Sequence, residues 1–147
     1  MKILVCISKT PETTAIIEVG SDGKSLDTKG VNFILNPYDE WYALVRALEL
    51  KEQLGGQVTV INVGLQDNDI IVRKALAIGA DEAIRINKEA SGAKDVAYEI
   101  YNAIKDASFD LILTGKETID FGGSLIGSML SELLGLPFVS YVNHLEI

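Results

Sequence analysis

Five apolar runs of strand length, separated by stretches of helical periodicity, leave this chain few folds to choose from. Ile3-Leu4-Val5-Cys6-Ile7 is the first, Val58-Thr59-Val60-Ile61-Asn62-Val63 the second and Ala83-Ile84-Arg85-Ile86 the third. Leu111-Ile112-Leu113 is the fourth, and Phe138-Val139-Ser140-Tyr141-Val142, introduced by Pro137, the fifth. Runs that stay apolar at consecutive positions mark strands covered on both faces, as in parallel sheets. Between them, Trp41, Leu44, Val45 and Leu48 keep the spacing of one helix face, up to Gly55-Gly56. A second helix, capped by Asp67, carries Val72, Ala75 and Leu76 and stops at Gly79. A third carries Val96, Ile100, Ala103 and Ala107. The fourth opens near Ser124, carries Ile126, Met129, Leu130 and Leu133, and ends at Gly135-Leu136-Pro137. This alternation predicts an α/β fold: a parallel sheet of about five strands with helices on both faces and right-handed crossovers.

One stretch breaks the rhythm. Lys9 to Leu35 separates the first strand from the first helix, far more than the roughly 2–6 residues usual for such a loop. Ile16-Ile17-Glu18-Val19, the turn Ser21-Asp22-Gly23 and Lys24-Ser25-Leu26 read as a small hairpin. An excursion of this length beyond the first strand reads either as part of a ligand or partner site or as decoration. At 147 residues the chain reads as one domain, 1–147, able to close its own core.

Charge and rare residues exclude several functions. A net charge of −8, with 13 scattered basic residues, argues against nucleic acid and against anionic membranes. No apolar run reaches the roughly 18 residues of a membrane span, and Met1–Ile7 lacks the features of a signal peptide. Cys6 is the only cysteine and His144 the only histidine. Internal disulfides and thiolate metal clusters are therefore impossible, and a reducing cytoplasm fits best. Nor is a nucleophile–base pair legible: Cys6 reads as a buried small hydrophobe, and Glu117 with Asp120 as solvated loop charges.

Two helix starts carry the binding chemistry. Asn36-Pro37-Tyr38-Asp39-Glu40 reads as an N-cap, a proline at the first helical position and an acidic first turn. The acids neutralise the helix's positive end, so this start suits a neutral group such as an adenine edge or a ribose hydroxyl, or serves as a cap alone. The other start follows the fourth strand: Thr114-Gly115-Lys116, a short acidic loop, then Gly122-Gly123-Ser124. Its first turn holds no acid, and Glu132 is the first carboxylate along it. Free N–H groups and a partial positive charge there form a candidate phosphate cradle at the carboxyl end of a strand. Lys116 adds a point charge and Asp120 opposes it. Neither the dinucleotide fingerprint nor the Walker pattern is matched, because Glu117 follows Gly115-Lys116.

Taken in order, four blocks resemble the small (β) subunit of the electron-transfer flavoproteins. They are ILVCISKTPE, NPYDEWYALVRALELKE, VRKALAIGADEAIRI and DLILTGKETIDFGGSLIGSMLSELLGLP, and together they cover essentially the whole chain. The resemblance implies a Rossmann-like, adenine-nucleotide α-hydrolase-like domain that partners a larger α subunit, which holds most of the FAD site. It implies a non-catalytic electron-transfer role between dehydrogenases of the acyl-CoA type and the respiratory chain. It also implies a buried structural AMP, replaced in bifurcating members by a second FAD. Carried over by position, that pocket is lined by Cys6, by Asn36, Pro37, Tyr38 and Asp39, and by Val63. From the segment Gly115 to Ile126 it takes Gly115, Lys116, Asp120, Gly122, Gly123, Ser124 and Ile126.

Two features depart from the family pattern. Where AMP-binding members place an Asn-Gln-Thr on the phosphate, this chain has Ser124, Leu125 and Ile126. One hydroxyl plus backbone is left to hold a phosphate, or the two apolar residues turn to the core and close the pocket. Family β subunits also continue well past the fifth strand, with a segment that docks on dehydrogenases and an arm around the α subunit. The resemblance thus implies an N-terminal part, with homodimerisation of the shortened chain through uncovered surface. An ATP-binding regulatory domain of the universal-stress type is the alternative, since Gly122-Gly123-Ser124 partly imitates its motif. The Arg-Lys-Ala-Leu block and the Gly-Lys-Glu loop do not fit that alternative. An adenylating enzyme of the ATP-pyrophosphatase kind needs a glycine-rich loop where Ile7-Ser8-Lys9-Thr10 stands.

Overall fold

The computed structural model describes residues 1–147. Its central sheet has four parallel strands: β1 (Lys2–Cys6), β6 (Gln57–Val63), β7 (Glu82–Ile86) and β8 (Leu111–Leu113), in the order β7-β6-β1-β8. In register, Ile3 sits between Val58 and Leu111, and Val5 between Val60 and Leu113. Four helices cover the sheet: α1 (Asp39–Leu54), α2 (Asp69–Ala77), α3 (Ala93–Ile104) and α4 (Ile126–Leu134). A 3₁₀ turn, Gln66–Asn68, leads into α2.

The period-two geometry of a strand assigns side chains to faces. Ile3, Val5 and Ile7 join Val58 and Val60 in a core closed by Leu44, Ala47 and Leu50 of α1 and Ile71, Val72 and Ala75 of α2. Leu4, Cys6 and Ile61 enter the second core, closed by Ile100 and Ile104 of α3 and Leu130 of α4. The outcome is a three-layer α/β/α domain with α1 and α2 on one face and α3 and α4 on the other. Helix α1 stops at Gly55, whose φ of 71° lies in the region that favours glycine.

The excursion after β1 is a double hairpin. β2 (Lys9–Pro11) pairs antiparallel with β5 (Phe33–Leu35), and β3 (Glu18–Val19) with β4 (Leu26–Asp27) around the expected Ser21–Gly23 turn. The inner pair, β2 with β5, has no counterpart in the sequence reading, because neither segment shows an apolar alternation of its own.

The fifth strand does not form. Phe138–Val142 is irregular, and Tyr141 has a φ of 57°, which breaks an extended run. The Tyr141 ring lies under the Lys116 ammonium at 4.9 Å, and Phe138 packs against Gly127. Leu145 packs on the α1-side core, and its carbonyl accepts a 2.7 Å hydrogen bond from Arg46. These contacts lead the segment away from a ladder with β8, and strand propensity without a ladder partner does not make a strand. Two boundaries also differ from expectation: α2 begins after the 3₁₀ turn, with Asp67 paired to Lys9 instead of capping, and α3 ends before Ala107.

A polar latch crosses the end of the sheet. Buried Asn62 donates to the Ile7 carbonyl at 2.9 Å and accepts from Asn68 at 3.0 Å. Replacing it by leucine (Asn62→Leu) orphans both partners inside the protein. A loss of about 1–3 kcal/mol in urea unfolding is expected from the stranded groups, with unchanged far-ultraviolet circular dichroism below the transition.

Candidate functional site

The carboxyl ends of β1 and β8 meet the start of α1. Asn36 is fully buried and does not cap the helix: its side-chain amide donates to the Glu117 carbonyl at 3.1 Å and accepts from the Ile119 N–H at 3.0 Å. Tyr38 occupies the cap position instead, with φ 64° and ψ −102°, an unusual conformation for a non-glycine residue. Asp39 accepts from the Glu117 N–H at 3.1 Å. The loop after β8 is thus bound at three points to Asn36 and to the first residue of α1. Between them lies a cleft of about 210 Å³, lined by Pro37, Tyr38, Asp39, Glu117, Thr118, Ile119 and Gly122.

Glu40, next along α1, is only 7% exposed. Its carboxyl faces Ser8, whose N–H donates at 2.6 Å and whose hydroxyl lies 2.8 and 2.9 Å from the two oxygens. Burial pushes its pKa up to about 8; the Ser8 contacts oppose the rise, and the charges of Asp120 and Asp39 add to it. Gly115 completes the junction. A Cβ there would sit 2.5 Å from Glu40 Cγ and 3.1 Å from its backbone nitrogen, so only glycine lets the two backbones approach.

The acidic loop is already paired. Lys116 lies 3.1 Å from Glu117, and the Ser124 hydroxyl donates to the same carboxylate at 3.0 Å. Lys116 and then Ser124 hold the Glu117 carboxyl below its ordinary range. Ser124 itself has φ 52°, and α4 begins two residues later, with Leu125 at the cap position and no acid in the first turn. A Cβ on Gly122 or Gly123 would meet nothing within 4 Å, so the backbone at this turn is open to an incoming group.

The structure divides the expected site residues into two groups. Pro37, Tyr38, Asp39 and Gly122 line the cleft, Asn36 clamps its far wall, and Lys116 and Ser124 hold its rim through Glu117. Cys6 belongs to the α3-side core, where burial and then the Glu40 charge push its thiol up to about 12. Val63 and Ile126 pack against that same core, whereas Leu125 stays 45% exposed. Only one of the two apolar residues in place of the family's polar triplet therefore turns inward. Asp120 accepts a 2.9 Å hydrogen bond from the Phe121 N–H and is not among the residues that line the cleft. Sequence reasoning missed Ser8 and the burial of Glu40. An acid in a first helical turn reads as dipole compensation, and the glycine that brings it under the loop lies 75 residues away (115 − 40).

Comparison with known proteins bears on this arrangement. The family model described as the electron transfer flavoprotein domain matches residues 24–147. The chain belongs to that family. It is 37% identical to the electron transfer flavoprotein subunit beta of Bacillus subtilis, over 100% of this chain and 58% of the relative. It is 34% identical to Protein FixA of Azotobacter vinelandii, over 99% of this chain and 53% of the relative. It is also 31% identical to the acryloyl-CoA reductase electron transfer subunit gamma of Anaerotignum propionicum, over 96% of this chain and 54% of the relative. The chain therefore spans about half the length of the curated relatives it matches. The matched region holds the Arg-Lys-Ala-Leu block and the Gly-Lys-Glu loop that a universal-stress assignment leaves unexplained. No helix is long and apolar enough to cross a membrane.

The raised Glu40 pKa sets a pH dependence of stability. Between about 4.5 and about 8 the folded chain keeps a proton that the unfolded chain has released. Stability therefore falls as pH rises through that window. A Glu40→Gln variant is expected to lose this fall, giving a flatter melting temperature from pH 5 to 8.5 by calorimetry. Asn36→Ala removes both clamp bonds and is expected to cost about 1–3 kcal/mol for the polar groups it strands, read by chemical denaturation.

Proposed function

We propose that this electron transfer flavoprotein domain binds an adenine nucleotide, AMP in the simplest case, between the start of α1 and the turn before α4. The observation that carries the proposal is the pairing of a clamped, partly polar cleft with the acid-free, unobstructed backbone at Gly122–Gly123. At about 210 Å³ the cleft is smaller than the roughly 300 Å³ at which small-molecule pockets usually begin. It suits the ribose or one edge of the base, with the phosphate outside it on the start of α4. Asp39 and the Asn36-ordered loop orient the neutral parts. Ser124, Lys116 and the N–H groups of the α4 first turn face the anion.

The fit has one internal competitor. Glu117 already occupies Lys116 and Ser124, and a phosphate takes both only by displacing it. In this reading the nucleotide is structural and the domain has no turnover of its own. FAD, held mainly by an α subunit, supplies the redox chemistry of the assembled pair. The names of the relatives support an electron-transfer role, and the Anaerotignum propionicum relative's name supports a partner of acyl-CoA chemistry. The exposed apolar side chains of Phe121, Phe138, Val139 and Tyr141 support a protein partner over this end of the domain. In the isolated chain the same surface favours a homodimer. The buried lone thiol suits a reducing cytoplasm, and a second FAD in place of AMP is the bifurcating variant of the proposal.

Titration calorimetry with AMP tests the pocket. Glu117→Gln is expected to tighten binding, by freeing Lys116 and Ser124, and Ser124→Asp to weaken it on the order of tenfold, the worth of one charge-assisted hydrogen bond. Unchanged affinity in both variants would place the phosphate elsewhere. Co-purification with an FAD-loaded α subunit, read by flavin absorbance in the complex, tests the partner independently of AMP.

A further inference from the structure

We propose that Glu40 is a positioning residue, a proton-operated clasp that sets how tightly the Gly115–Ile119 loop closes on the start of α1. The role goes beyond nucleotide binding and does not depend on what fills the cleft. Its basis is the geometry of the junction. Glu40 is the one carboxyl buried there, and it touches all three elements that meet at the junction. It belongs to α1, its oxygens bond to Ser8 just beyond β1, and its methylene stem lies where a side chain on Gly115, just beyond β8, would have to go.

The hydrogen-bond pattern suits a neutral acid. One oxygen accepts the Ser8 N–H at 2.6 Å, and the other lies 2.8 Å from the Ser8 hydroxyl, placed to donate a proton to it. No cation stands by to balance a charge. The eight ion pairs of the chain leave Glu40 out, and Lys116 is engaged with Glu117 and the Tyr141 ring. The titratable groups facing Glu40 are Asp39 on its own helix, Asp120 on the loop and Cys6 on β1. All are acids, and a thiol as deeply buried as that of Cys6 stays neutral. Ionised, Glu40 repels Asp120 and with it the loop that Asn36 and Asp39 hold by only three hydrogen bonds. Protonated, it draws the three elements together.

Glutamine keeps the shape and neutrality of the protonated acid, able to accept from the Ser8 N–H and donate to its hydroxyl, so Glu40→Gln holds the clasp shut. Nitrogen-15 correlation spectra of the whole chain, recorded from pH 6 to 9 without nucleotide, read the loop directly. The amides of Ser8, Gly115, Glu117 and Ile119 are expected to titrate together with a midpoint near 8, coincident with the Glu40 side-chain carbonyl followed by carbon-13. In Glu40→Gln the same amides are expected to stay at their wild-type pH 6 positions throughout. Loop amides that hold still while the Glu40 carbonyl titrates, or that titrate equally in the glutamine variant, would overturn the proposal. The carbonyl-to-amide comparison decides the matter within the wild type should the variant fold poorly. AMP titration of both forms at pH 6 then separates the two ideas: failure of AMP to bind leaves the spectral result standing and removes only the nucleotide.

Discussion

Strand β1 is buried on both faces and flanked on both edges, and the rest of the domain is arranged around that constraint. Its hydrogen bonds go to β6 on one side and β8 on the other. Its odd-numbered side chains fill one core and its even-numbered ones the other. A strand in that position cannot bend away to make room for a ligand. A ligand that approaches this strand is therefore met beyond its carboxyl end, where the backbone first becomes free to turn. There Ser8 is handed to Glu40, Ile7 to Asn62 and Lys9 to Asp67. The polar groups that ring the end of the sheet are thus consequences of ending a doubly buried strand.

How far the sequence foretold this differs from one element to the next. Strands β1, β6, β7 and β8 were legible because burial on both faces demands unbroken apolar runs, which few other structures need. Helix α1 was legible from Leu44 and Leu48 and the glycines that stop it. Phe138–Val142 has the same composition as a buried strand and still does not form one. Composition records what a segment could bury, whereas a ladder also requires a partner edge free to receive it, and here Tyr141 and Leu145 are drawn to Lys116 and the α1-side core. The pairing of β2 with β5 was hidden for the converse reason: three-residue strands joined across a long excursion carry too little periodicity to be seen.

The candidate site shows the same division. The two chain segments that build the cleft, around Asn36–Asp39 and Gly115–Ser124, could be picked out as helix starts on general grounds and also by family resemblance. Their mutual geometry could not. Asn36 before a proline and an acidic turn has every attribute of a cap, yet its amide is spent across the domain on Glu117 and Ile119. A side chain that can cap can equally well staple, and the choice is made by which backbone groups lie within reach after folding. Cys6, Val63 and Ile126 illustrate the opposite case: family position groups them with the cleft, while the packing gathers them on the other side of the sheet, in the core beneath α3 and α4.

The arrangement of Lys116 and Ser124 around Glu117 has a consequence for selectivity. These two donors are not waiting in water; they are already satisfied by a carboxylate. In the proposed reading, a nucleotide phosphate is consequently measured against a resident competitor of one negative charge. Groups that merely equal that carboxylate in charge and acceptor number gain nothing by entering, whereas a dianion with three oxygens gains the difference. In the proposed nucleotide reading, the loop thereby acts as a threshold that favours a phosphate dianion over a singly charged group, which only matches the side chain already in place.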